Sequence, residues 1–298
     1  MVAPVKEMKW MILGGGGQLA RALSMELSRT NAAFISLNHA QLDITNQSDI
    51  EKWFTSEAPD VVVNAAAWTD VDSAEAEEEK AFTVNALGPK LLAQACSQNG
   101  TKFIQISTDY VFSGAATSPW EETDPVNPVS AYGRTKAQGE SFVLDAYAEG
   151  AFILRTAWLY SPWRKNFVKT VLKVAMNESR NIKIVADQIG QPTSAMDLAR
   201  QIQQLVILEA SPGIYHATNA GQASWFELAQ KLFRLSDQDQ NRVIAVGSSA
   251  FPRPAKRPAF SVLGHRNWIS EGLQPMRNWE DALEEALPDI LQAVKRGE

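Results

Sequence analysis

The sequence predicts an α/β chain: a Rossmann-type doubly wound parallel sheet with a smaller, mixed α/β substrate region on its C-terminal side. Three observations carry that expectation. Short apolar runs alternate with longer helix-period segments over the first two-thirds of the chain, which is the rhythm of βαβ units. A glycine-rich turn follows the first apolar run, and after Trp158 the pattern loosens and prolines interrupt it.

Trp10-Met11-Ile12-Leu13 is the first strand; it enters Gly14-Gly15-Gly16-Gly17, and residues 18–28 then show helical spacing through Leu19, Leu23 and Leu27. Residues 33–37, 61–65, 103–107 and 152–155 are further strands, read as parallel because apolar runs of this kind are buried on both faces. Helices are expected over 48–57, 75–99 and 132–148. The acidic run 75–79 reads as the solvated start of a helix, where negative charge suits the N-terminal dipole. Pro252, Pro254 and Pro258 make 250–258 an extended loop. The expected organisation is a dinucleotide-binding domain over 1–157 and a mainly substrate-binding region over 158–298, with a segment at about 187–210 returning to the first.

With 45% apolar and 21% charged residues the composition is that of an ordinary globular protein. A net charge of −6 offers no basic field to a phosphate backbone, so nucleic acid is not an expected partner. Cys96 is alone, and His39, His216 and His265 lack the short spacings of metal sites, so neither a disulfide nor a metal is expected. No stretch approaches about 18 uninterrupted apolar residues, and the first nine residues lack a signal-type run. The expectation is therefore a cytoplasmic chain without a membrane partner.

The strand that ends in Gly14-x-x-Gly17-x-x-Ala20 and opens a helix suits a dinucleotide. Absent side chains let the backbone approach a pyrophosphate, and the helix N–H groups receive its charge. Near the end of the second strand, where an acid favours the ribose diol and an arginine a 2′-phosphate, stands Asn38. It does neither, so NADPH and NADH are both expected to serve.

Tyr132 and Lys136 lie four residues apart at the start of a helical stretch and share a face. A nearby ammonium favours phenolate, which predicts a Tyr132 pKa lowered from about 10 towards neutral pH. Ser107-Thr108-Asp109-Tyr110 closes an apolar strand, and open α/β sheets bind ligands beyond those ends; Thr108 is placed to hydrogen-bond a substrate carbonyl.

On these residues the chain resembles the extended short-chain dehydrogenase/reductase superfamily and, within it, the dTDP-4-dehydrorhamnose reductase family. The closer likeness rests on Asn64-Ala65-Ala66-Ala67-Trp68-Thr69-Asp70-Val71-Asp72, Arg155-Thr156-Ala157-Trp158, Asp187-Gln188-Ile189-Gly190-Gln191-Pro192-Thr193 and Arg257-Pro258-Ala259-Phe260-Ser261-Val262-Leu263. The resemblance implies a catalytic set of Thr108, Tyr132 and Lys136. It implies dinucleotide contacts from Gly14, Gly17, Gln18, Leu19, Asn38, Asp43, Ile44, Ala65, Ala66 and Ala67, together with Tyr132 and Lys136. Thr69, Val71, Thr108, Asp109, Trp158 and Arg257 are the implied substrate contacts. The implied reaction is NAD(P)H-dependent reduction of the C4 ketone of dTDP-4-dehydro-β-L-rhamnose, with a homodimer as the expected assembly. Asp43 in Asp43-Ile44-Thr45-Asn46 also reads as a turn residue, and Arg164 and Lys165 as weaker diphosphate ligands. Another nucleotide-sugar 4-keto reductase, an epimerase, and a regulatory subunit of the methionine adenosyltransferase type remain open; the Thr108, Tyr132 and Lys136 set favours an enzyme.

Overall fold

The computed structural model describes residues 8–177 and 179–297; the first seven residues, part of the stretch without a signal-type run, lie outside them. Five of the six strands of the main sheet come from the first 156 residues: β1 (Lys9–Leu13), β2 (Ala33–Leu37), β3 (Val61–Asn64), β4 (Lys102–Thr108) and β5 (Ala151–Thr156). They are joined through α1 (Gln18–Arg29), α2 (Gln47–Glu57), α3 (Val71–Ala76), α4 (Glu78–Phe82), α5 (Gly88–Asn99) and α6 (Ala131–Tyr147). All pairings are parallel, so the expected Rossmann-type sheet is present.

Later elements are β6 (Leu159–Tyr160), α7 (Phe167–Asn177), β7 (Ile182–Val185), β8 (Ile189–Gly190), β9 (Thr193–Ser194), α8 (Ala195–Ile207), β10 (Gly213–His216), β11 (Ala223–Ser224), α9 (Trp225–Leu235), β12 (Val243–Val246), α10 (Arg266–Ser270) and α11 (Trp279–Lys295). Strand β10 pairs in parallel with β5, a sixth strand that the sequence did not announce. Residues 251–260 contain no regular element, as their prolines require.

The spatial order β10-β5-β4-β3-β1-β2 places the reversal of winding between β1 and β3. Ligands of doubly wound sheets bind at the crevice beyond the strand ends at such a point. Here those ends are the glycine turn after β1 and the alanine run after β3.

Pleating sorts the strand residues onto two apolar layers. Trp10 and Ile12 face α1 and α8, while Met11 and Leu13 face Leu92, Val143 and Phe54. Each fully buried large side chain contributes roughly 1.5–3 kcal/mol. A further apolar cluster joins α7, α9 and α11 through Leu172, Leu228, Phe233, Leu283 and Ile290.

The helix expected over 75–99 is not continuous. Between α4 and α5 the chain makes one π-helical turn at Thr83–Leu87, an insertion that leaves the average apolar spacing intact and so escapes a periodicity argument. The turn presents the buried Asn85, whose amide accepts from Trp68 N and donates to Trp68 O and to Thr135 Oγ1, bracing the segment after β3 against α6. Residues 75–79 are also more than a solvated helix start. Glu75 Oε1 accepts from Ala131 N at 2.8 Å, and Glu78 forms a bidentate pair with Arg134, so this run secures the first turn of α6.

Candidate active site

The glycine turn is held by its backbone. Gly14 adopts φ 84°, and a Cβ there would lie 2.8 Å from the backbone of Ala65 and Ala66, so only glycine lets β1 and the run after β3 approach this closely. Gly15 N donates to Leu37 O and Gly17 N to Gly14 O, tying the turn to the end of β2. Helix α1 then begins at Gly17 with no side-chain cap and no acid in its first turn, in contrast to α2, α6, α8 and α9, which are capped by Asn46, Ser130, Ser194 and Ser224. Free N–H groups at a helix start fit a pyrophosphate. Leu19 contributes through its backbone, because its side chain is buried beneath the turn.

Gln18 is bound on its other side: its Oε1 accepts from Ser161 and Asn166 and its Nε2 donates to Leu159 O. It joins the dinucleotide turn to the chain after β5. Asn38 caps its own turn, accepting from Ala40 N and Gln41 N. Asp43 accepts from Thr45 N and Oγ1 in an Asx turn, the turn role its sequence context allowed. The Ile44 side chain is core, so only its backbone is available to a ligand. Ala65, Ala66 and Ala67 line the crevice edge half-buried, and Thr69 and Val71 follow, exposed and half-buried respectively.

Thr108, Asp109 and Tyr132 converge at the end of β4. Thr108 Oγ1 donates to Asp109 Oδ1 at 3.0 Å and accepts from Tyr110 N, and its hydroxyl also bears on the Tyr132 phenol. The Tyr132 ring packs on Trp68, Ala74 and Ala131 and meets the Tyr110 ring edge-on at 5.7 Å.

The acidity of Tyr132 is opposite to the sequence expectation. Burial pushes the phenol up to about 12, with the Thr108 hydroxyl opposing the rise and the Asp109 carboxylate adding to it. Lys136 is not among the groups that shift it; the buried ammonium donates to Ile106 O at 2.6 Å, and burial pulls Lys136 down to about 8, against the Glu140 carboxylate. Shared helix face therefore does not mean shared proton. A phenol at about 12 is fully protonated at neutral pH, the state a proton donor needs.

Asp109 is 2% exposed, and its Oδ2 has no hydrogen-bond partner of good geometry among the described residues. Burial pushes its carboxyl up to about 6, tempered by the Ser261 and Thr108 hydroxyls. Between its ordinary value of about 4 and this raised one the folded chain holds a proton that the unfolded chain releases, so stability falls as pH rises through that window. A two-unit gap corresponds to about 3 kcal/mol. Asp109→Asn removes this penalty: in urea unfolding, the stability of the variant relative to the parent should rise by about that amount between pH 4 and pH 7.5. A difference that does not change with pH contradicts this assignment of the carboxyl.

Arg257 extends from the proline-rich loop and forms a bidentate pair with Asp72 at 2.8 and 2.9 Å, beside Tyr110. Trp158 holds φ 44°, unfavourable for a bulky residue, and its indole stacks on Trp225 at 3.5 Å while Gly190 covers it from another side. A cavity of about 180 Å³ lies beside this pair, lined by Gln18, Lys165, Asn166 and Phe167. Lys165 thus faces the Gln18 junction; Arg164 is exposed next to it. Among the described residues no group of three or more His, Cys, Asp or Glu is placed to hold a metal ion, and no helix is long and apolar enough to cross a membrane. Sequence reasoning missed Asn85, Glu140 and Asp72 as partners of this site. Asp72 and Arg257 both sit in segments that carry the family likeness, but nothing in the sequence pairs them.

Residues 8–292 match the family model described as the RmlD substrate binding domain. The chain belongs to this family. Among the family's curated members, a dTDP-4-dehydrorhamnose reductase of Streptomyces griseus is 42% identical, with 97% of this chain and 96% of the relative covered. A probable dTDP-4,6-dihydroxy-2-methyloxan-3-one 4-ketoreductase of Streptomyces antibioticus is 46% identical over 96% of this chain and 97% of its own. The solved dTDP-4-dehydrorhamnose reductase of Bacillus anthracis, in complex with NADP, superposes with a TM-score of 0.91 at 35% identity, covering 95% of this chain and 99% of that one.

Proposed function

We propose that this member of the family is an NAD(P)H-dependent oxidoreductase that reduces the C4 ketone of dTDP-4-dehydro-β-L-rhamnose to dTDP-β-L-rhamnose. The observation that carries the reading is the convergence of Thr108 and a protonated Tyr132 at the end of β4, on the same carboxyl edge of the sheet as the uncapped helix start at the winding reversal. The family membership and the likeness to named reductases over nearly the whole chain support it.

The glycine turn, the α1 N–H groups and the alanine run after β3 suit a dinucleotide pyrophosphate. A bound reduced nicotinamide supplies hydride to the ketone carbon. Tyr132 then gives its proton to the developing alkoxide, and Thr108 bonds the oxygen on which charge accumulates. Lys136 would hold the nicotinamide ribose, and its ammonium gives the Tyr132 end of α6 a positive charge as the alkoxide forms. Lys136 titrates near 8, so its ammonium form is lost on the alkaline side of neutrality.

Asp109, Thr69 and Val71 are the sugar contacts of this reading. Trp158 contributes an indole edge, because one face is covered by Trp225. Arg257 serves the diphosphate while Asp72 holds its guanidinium in place. The division of the chain near residue 157, with α8 crossing back onto α1, and the homodimer belong to the same proposal; the separate apolar cluster of α7, α9 and α11 supports the division.

The likeness to a 4-ketoreductase acting on a different dTDP sugar favours one second reading, reduction of a related dTDP-4-keto-deoxysugar. Purified protein given dTDP-4-dehydrorhamnose should consume one NADPH or NADH per sugar and yield dTDP-rhamnose. Faster consumption with the methyloxanone sugar selects the second reading, and epimerised substrate without cofactor loss contradicts both.

A further inference from the structure

Glu140 lies one helical turn beyond Lys136 and two beyond Tyr132, on the same face of α6. It takes no part in the proton transfer, yet it is the most completely bound carboxylate near the site. Arg155 on β5 donates through Nε to Glu140 Oε1 at 3.0 Å and through Nη2 to Oε2 at 2.7 Å, with side-chain exposures of 3% and 5%. Ser107 Oγ donates to Oε1 at 2.5 Å. Consecutive β4 residues thus hold consecutive turns of α6: Ile106 O takes the Lys136 ammonium, and Ser107 takes Glu140.

The guanidinium is fixed from behind. It lies 5.0 Å over the Phe112 ring, and its Nη1 is 3.4 Å from His216 Nε2. His216 Nδ1 sits 3.0 Å from Gly264 O, which leaves Nε2 as the acceptor; burial and then Arg155 pull this histidine down to about 3, so it stays neutral. Buried ion pairs rarely stabilise a fold more than apolar side chains of the same volume, so this clamp is poorly explained by stability alone.

We propose that Glu140 is a positioning residue for Lys136: clamped by Arg155 and Ser107 beneath the site, its carboxylate keeps the buried ammonium protonated and locks α6 in register with β4 and β5. Arg155, paired with Glu140, is the opposing charge at this point, and the remaining charges around α6 point elsewhere. Asp109 and Tyr110 face Tyr132, Glu75 and Glu78 engage Arg134, and Lys90 lies over Phe142. Against the loss of solvation, Glu140 is the charge that raises Lys136. The inference rests on the proposed role of Lys136, but its electrostatic part is measurable without substrate or dinucleotide.

The test is the titration of Lys136 by NMR in protein labelled at lysine Cε, with the resonance assigned by its loss in Lys136→Met. Glu140→Gln should lower the midpoint by about one unit, a tenfold weaker proton affinity, while Glu140→Asp, which keeps the charge, stays near the parent. Because Glu140→Gln leaves Arg155 without its counter-charge, Glu140→Gln/Arg155→Gln is titrated beside it and should still show a downward shift, smaller than the single variant's because the unpaired guanidinium is gone. The alkaline fall of kcat/KM, where the ammonium is lost, should move down with it. A folded double variant whose Lys136 midpoint is unmoved overturns the proposal. If the midpoint moves but the parent does not reduce the keto sugar, the electrostatic inference stands and the catalytic reading of the site fails.

Discussion

Tyr132→Phe should lose about 10²- to 10⁴-fold of turnover while its fold and dinucleotide affinity stay near the parent's. The substitution removes one oxygen and leaves the ring contacts with Trp68, Ala74, Ala131 and Tyr110 in place. The neighbouring groups are poorly placed to substitute for it. Thr108 offers the substrate oxygen a hydrogen bond and not a transferable proton, its hydroxyl donating to Asp109 Oδ1 here, and the Lys136 ammonium is bonded to Ile106 O. A phenol at about 12 is always loaded with its proton at neutral pH, so the whole loss should fall on kcat. Single-turnover rates with saturating cofactor check this, and a reduction of less than about tenfold removes Tyr132 from the role of acid.

The second large effect comes from the residue after it. Gly133→Ala places a Cβ 2.2 Å from Tyr110 O and 2.9 Å from Pro128 Cβ. Helix propensity alone predicts a gain of about 1 kcal/mol for alanine in α6. The contact opposes it, and the contact wins: the atom it meets is backbone, so the first turn of α6 must move away from the 108–112 turn. Overpacking of this kind costs about 1–3 kcal/mol, and a displacement of about 1 Å at Tyr132 costs on the order of 10²-fold in rate. The variant should melt below the parent and turn over far more slowly, in contrast to Tyr132→Phe, which melts with the parent. A Gly133→Ala protein as stable and as active as the parent would show that α6 and the Tyr110 turn are not held this tightly.

The legible parts of the fold were those written in local pattern. The β1, β3, β4 and β5 runs are apolar because they are covered on both faces, and the Gly14 turn is legible because its φ excludes other residues. Strand β10 was missed because four residues, Gly213–His216, carry too little pattern to stand out. The π turn at Thr83–Leu87 was missed for the opposite reason, since one extra residue inside a long apolar helix barely disturbs its average period. In the site, spacing correctly put Tyr132 and Lys136 on one face but could not say what each proton-bearing atom touches. The bond from Lys136 to Ile106 O spans 30 residues, that from Arg155 to Glu140 spans 15, and that from Arg257 to Asp72 spans 185. Such pairs form only when separate elements are packed together, and the burial that the same packing brings reverses the simple expectation for the phenol.

The central claim is that this crevice transfers hydrogen from a nicotinamide to C4 of a dTDP-4-keto sugar with Tyr132 as the acid. It is tested most directly with NADPH or NADH deuterated at the transferring position and dTDP-4-dehydrorhamnose as acceptor, followed by NMR of the purified sugar. The account predicts one deuterium at C4 of dTDP-rhamnose for each cofactor oxidised, and loss of that product in Tyr132→Phe. Deuterium at any other carbon, or a sugar altered without net cofactor oxidation, would contradict it.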